Sequence, residues 1–215
     1  MDESNHSNRL PQLGGGIFLT DAGIETTLIF HRGLDLPHFA AVNLLRDETD
    51  TAELEEYFRG HAAIALDNGT GFIFEAATWR ASPDWGTRLG YSPGQLDELN
   101  RRAIRMLRDL RTELQTPHSP MVVSGCIGPR GDGYDPRTTM TAEEAESYHA
   151  RQVRVFAEAG ADLATAITMT NTAEAVGIVR AAGDAGLPAV ISFTVETDGK
   201  LPTGESLQSA VETVD

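Results

Sequence analysis

The sequence predicts an α/β protein built on a parallel sheet. Three observations carry that prediction. Five short apolar runs recur at 17–20, 71–76, 121–125, 161–168 and 188–195, several rich enough in Val, Ile and Phe for strands covered on both faces. Amphipathic segments with readable starts and stops separate them. Strand and helix alternate strictly, which implies parallel strands joined by right-handed crossovers. Two architectures fit: an open doubly wound sheet, or a (β/α)8 barrel. A barrel takes roughly 250 residues and eight strands. Five βα units in 215 residues therefore suggest either a complete open sheet or an incomplete barrel.

Each element has a local reason. Residues 1–12 are polar, carry no apolar signal core and read as a loose leader; 13–215 form the one domain. Gly14-Gly15-Gly16 precedes a strand instead of joining strand to helix, so it reads as a flexible approach, not a dinucleotide loop. Asp50 and Glu53 have capping-box spacing ahead of Leu54, Tyr57, Phe58, Ala62 and Ala65. Ser92-Pro93-Gly94-Gln95 supplies a cap, a first-turn proline and a reaching Gln, and Leu96 to Leu114 follow at helical spacing. Thr141 with Glu144 starts a helix that Gly160 stops; Asn171 with Glu174 starts one that Gly186 stops. A last helix starts near 204–206.

Composition excludes several classes. The chain is 40% hydrophobic and 23% charged, enough apolar content for a packed core. Its net charge of −15 repels phosphate backbones, so neither nucleic acid nor an anionic membrane is an expected partner. No stretch approaches the roughly 20 apolar residues of a membrane span. Cys126 is the only cysteine, which excludes an intramolecular disulfide and a zinc site built from several thiolates of this chain. The six histidines show no HxH or HExxH spacing. A cytoplasmic location is expected.

Candidate site residues cluster after strands, where parallel α/β proteins bind ligands. Asp21 and Glu25 follow strand one, and each is either a ligand contact or a turn carboxylate. Glu75 ends the apolar run of strand two and Thr78, Trp79 and Arg80 follow, as pocket groups or as a loop whose Trp79 and Trp85 pack over the rim. Cys126 opens a glycine-rich loop after strand three and reads more readily as a small buried hydrophobe than as a nucleophile. Strand four ends in hydroxyls and an amide, with Asn171 as a helix cap. Glu196, after strand five, is either pocket-facing or solvated.

Four stretches, in order, resemble the homocysteine S-methyltransferase family: Asp21-Ala22-Gly23-Ile24-Glu25-Thr26; Thr78-Trp79-Arg80-Ala81-Ser82; Gly125-Cys126-Ile127-Gly128-Pro129-Arg130-Gly131; and Ile191-Ser192-Phe193-Thr194 through Leu201-Pro202-Thr203-Gly204-Glu205-Ser206-Leu207. Glu158 to Leu163 matches the approach to strand four. The resemblance implies a (β/α)8 barrel, here ending after five units, and methyl transfer to the sulfur of homocysteine or a related thiol. It also implies a small-molecule methyl donor. Asp21 matches the family's substrate aspartate, and Thr78 and Trp79 match its pocket segment. With Glu25 and Glu75 these make the expected substrate-binding set; no catalytic residue is assigned.

The family's zinc binds the substrate thiol through cysteines that fall after strands six and eight, beyond this chain. Zinc is thus expected in the complete barrel and not as a tight ligand of these 215 residues, which alone are expected to be inactive. Ile167 stands where the family places a glutamate that holds the substrate amino group. A competing reading is a non-catalytic remnant that binds a small molecule or partner, with its open sheet edges as sites of self-association. A third is metal-free acid–base chemistry by Asp21, Glu25 and Glu75, should they converge.

Overall fold

The computed structural model describes residues 10–133 and 139–215. Residues 1–9 of the expected leader lie outside them; Pro11–Gly14 form a single tight turn. Five strands make one sheet in chain order: β1 (Phe18–Thr20), β2 (Gly71–Glu75), β3 (Met121–Ile127), β4 (Leu163–Met169) and β5 (Ala189–Phe193). Every pairing is parallel. A doubly wound sheet reverses its strand order at a switch point. This sheet never reverses, so the arrangement is that of a barrel wall and the open-sheet alternative falls.

Among the described residues seven helices alternate with them: α1 (Ile24–Thr26), α2 (Glu48–Asn68), α3 (Pro83–Arg88), α4 (Pro93–Leu114), α5 (Ala142–Ala159), α6 (Thr172–Asp184) and α7 (Leu207–Val214). The capping boxes at Ser92 and Thr141 form as expected, with side chain and backbone bonded reciprocally. Gly160 closes α5 in the left-handed conformation, and Asn171 and Ser206 cap α6 and α7. One expected start moves. Helix α2 begins at Glu48, because the extended Asp47 accepts the Asp50 amide at 2.9 Å; Asp50 lies inside the first turn. The six-residue α3 and the irregular turns between residues 27 and 46 are too short to show a hydrophobic period.

The core lies between the sheet and its helices. All seven residues of β3 are buried. Phe58 of α2 meets Phe74 edge-on at 6.0 Å between centroids, and Phe72 meets Phe74 at 4.9 Å. Gly125 allows α5 to sit close on β3: a Cβ there would lie 2.2 Å from the Phe156 ring. Below the sheet, Arg111 of α4 pairs with buried Asp162 at 2.6 Å. The same Asp162 oxygen accepts the Val123 amide at 2.8 Å, fixing how β3 and β4 start. No described helix is long and apolar enough to cross a membrane.

Candidate active site

The C-terminal strand ends surround a cavity of about 390 Å³. Asp21, Glu25, Glu75 and Trp79 line it together with Cys126 and Ile167. The sequence left open whether the three carboxylates meet; the fold brings them to one hollow. A larger hollow, about 550 Å³ and bounded by Asp35, Arg46 and Arg88, lies beside the start of α2. It is away from the strand ends where barrels bind ligands.

Asp21 ties two strand ends together. Its Oδ1 accepts the Glu75 amide at 3.1 Å, and the Tyr57 hydroxyl lies 3.2 Å from Oδ2 and 3.0 Å from the Ala22 carbonyl. Gly23, at φ 65°, lets the chain turn from this aspartate directly into α1, which carries Glu25. Burial raises all three acids. Asp21 rises to about 6, with the Glu75 amide, His61 and Tyr57 pulling against burial. Glu25 rises to about 7, opposed by its own backbone and by Arg80. Glu75 rises to about 8, because burial and the nearby Asp21 charge outweigh the Ser124 and Thr165 hydroxyls. Those hydroxyls are 2.7 Å apart.

Strand four is irregular where it meets the cavity. Its register with β5 shifts between Ala166 and Met169, and Thr168 takes a left-handed φ of 59°, a costly conformation for a β-branched residue. The Thr168 hydroxyl donates to the Ile167 carbonyl at 2.6 Å and accepts the Trp79 indole N–H at 3.0 Å. The indole is thereby held as a cavity wall. Arg80 lies over both tryptophan rings, 4.9 Å from Trp79 and 4.2 Å from Trp85. Gly128 passes so close behind Trp79 that a Cβ would fall 2.4 Å from its carbonyl oxygen.

Thr78 does not reach the cavity. It is fully buried, and its hydroxyl donates to the Cys126 carbonyl at 2.7 Å, so it braces the wall from behind. Cys126 is buried; burial first, then the three carboxylates, push its thiol well above its usual range. It has no thiolate character for nucleophilic attack. Glu196 is exposed in a turn. Sequence reasoning missed Tyr57, read as core, and the Ser124–Thr165 pair. Tyr57 sits on the apolar stripe of α2, where nothing marks a hydroxyl aimed at β1.

A chain-ordered parallel wall with an acidic, aromatic-sided pocket at its strand ends defines an α/β-barrel protein with a candidate small-molecule site. Known proteins sharpen that class. The family model for homocysteine S-methyltransferase matches residues 18–215, and the chain belongs to that family. It is similar to homocysteine S-methyltransferase 4 of Zea mays, 26% identical over 94% of this chain and 62% of that protein. It is also similar to homocysteine S-methyltransferase 1 of Brassica oleracea, 25% identical over 93% of this chain and 65% of that one. It thus spans under two thirds of the length of these relatives. The metallated homocysteine methyltransferase MmuM of Escherichia coli shares the fold with a TM-score of 0.77 at 20% identity, covering 97% of this chain and 73% of that structure.

Proposed function

We propose that the protein carrying this domain transfers a methyl group from a small-molecule donor to the sulfur of homocysteine or a related thiol, in the cytoplasm. The observation that supports this most is the family match together with Asp21, the substrate aspartate of the resemblance, standing in a cavity at the strand ends. Asp21 orients the acceptor; Glu25, Glu75 and Trp79 shape its pocket. Thr78 acts on the pocket through the wall it braces.

Zinc is the family's means of making a thiolate at neutral pH. The described residues do not fit it: no group of three or more His, Cys, Asp or Glu among them could hold a metal ion, and Cys126 is a lone, buried thiol. Residues 1–215 alone are expected to give no turnover with homocysteine and a sulfonium donor, with or without zinc. Turnover by the purified 215-residue chain would overturn that expectation. In the protein as its cell makes it, Asp21→Asn should lower kcat/KM for thiol methylation at least tenfold. An unchanged kcat/KM would remove Asp21 from the site.

A further inference from the structure

One oxygen in the pocket lacks a partner. Glu75 Oε2 is closed to solvent and makes no hydrogen bond among the described residues, although the Ser124 and Thr165 hydroxyls serve the same carboxyl. A buried carboxylate oxygen calls for a donor. Around it the cavity lining holds three carboxylates and, among the described residues, no Lys, Arg or His. A ligand carboxylate entering this hollow meets acidic side chains and no cation among the described residues. A ligand cation meets the opposite. A fully methylated cation has no N–H to give Oε2, whereas a primary ammonium has three. The position on β4 where the family resemblance expects a glutamate for an amino group is the apolar Ile167, which also lines the cavity.

We propose that Glu25 and Glu75 seat a primary ammonium group of the substrate and that the pocket rejects a substrate carboxylate, so that the acceptor is a small amine-bearing molecule and not an α-amino acid. Amine recognition thus moves from β4 to the ends of β1 and β2. This rests on the reading that the cavity holds the acceptor, but not on turnover.

The charged and titratable neighbours are consistent with it. Arg80 faces Glu25 from the β2 loop but stacks on Trp79 and Trp85, donates to the His38 carbonyl and lies 3.6 Å from Asp132. His61 and Tyr57 of α2 face Asp21, not Glu75. Cys126 of β3 is a neutral thiol. Glu25 and Glu75 hold protons near neutral pH that an arriving ammonium displaces. Affinity should therefore rise with pH, and binding should release protons.

Isothermal titration of the 215-residue chain tests this, using cysteamine, ethanolamine, 2-mercaptoethanol and 3-mercaptopropionate in two buffers of different ionisation enthalpy. Cysteamine and ethanolamine should bind at least tenfold more tightly than the other two at pH 8, with proton release. Their affinity should fall at least tenfold at pH 6. E75Q and E25Q should each weaken ethanolamine binding at least fivefold and reduce the proton release. Binding of 3-mercaptopropionate as tight as that of cysteamine overturns the proposal, and so does ethanolamine binding indifferent to pH. Should E75Q fail to fold, E25Q and the wild-type ligand series still decide. A failed methylation assay leaves this result untouched; a failed ligand series leaves methyl transfer standing with another acceptor.

Discussion

Glu75 is the most strongly shifted acid of the pocket. It ends β2, so its backbone amide serves Asp21 while its carboxyl shares the cavity with Asp21 and Glu25. Its pKa rises from 4.5 to about 8, so the native state keeps a proton that the unfolded chain has lost across that range. Stability is then highest below the unfolded value and falls as pH rises toward 8, levelling off above it. Asp21 and Glu25 add to the same slope at about 6 and 7. Glu75→Gln, which cannot ionise, should flatten the upper part of that slope and stabilise the protein at pH 8 by on the order of 1–3 kcal/mol. Urea unfolding at pH 5, 6, 7 and 8 reads this directly. A wild-type midpoint that climbs from pH 5 to pH 8, or an E75Q slope equal to wild type, would show that the pocket acids ionise as if in water.

Between elements, Glu174 joins more of the structure than any site carboxylate. It sits on the first turn of α6, fully buried, and its Oε1 accepts the Arg130 amide at 2.6 Å and faces His149 Nε2 at 3.0 Å. Its Oε2 takes the Asn171 amide at 3.3 Å. One side chain thus holds the loop after β3, helix α5 and the cap of α6. Glu174→Ala strands those donors in a closed interior, and should cost about 3 kcal/mol or more of stability. A denaturant midpoint within error of wild type would reduce Glu174 to its role in the cap. The Asn171–Glu174 spacing was legible as a helix start, as were Ser92, Thr141 and the five apolar runs, because caps and strand periods are written locally. The second role of Glu174 was not, since Arg130 and His149 lie 44 and 25 residues away. The site divides the same way. The positions of Asp21, Glu25 and Glu75 after strands were readable, whereas their convergence depends on strand order. The left-handed Thr168 and the inward-facing Tyr57 leave no pattern in the sequence.

At the scale of the molecule, the sheet has two unpaired sides among the described residues: β1 bonds only to β2, and β5 only to β4. The three residues of β1 make a poor template, whereas β5 offers five, with Val190 45% exposed. Helix α7, packed against α6, leaves Leu207 and Val211 exposed as well. A strand edge next to apolar side chains invites pairing with another strand. The net charge of −15 opposes association of like chains at long range. The two effects differ in their response to salt, which screens charge within roughly 8 Å at physiological ionic strength and strengthens apolar burial with sulfate. Self-association through β5 should therefore be weak in dilute buffer and grow with protein concentration and with added salt. Val190→Lys places a charge on that edge and should abolish the growth without changing the pH slope of stability. Light scattering across a concentration series at low and high salt distinguishes the outcomes. A chain that stays monomeric at high salt, or a V190K variant that associates as wild type does, would mean that β5 is not the adhesive edge.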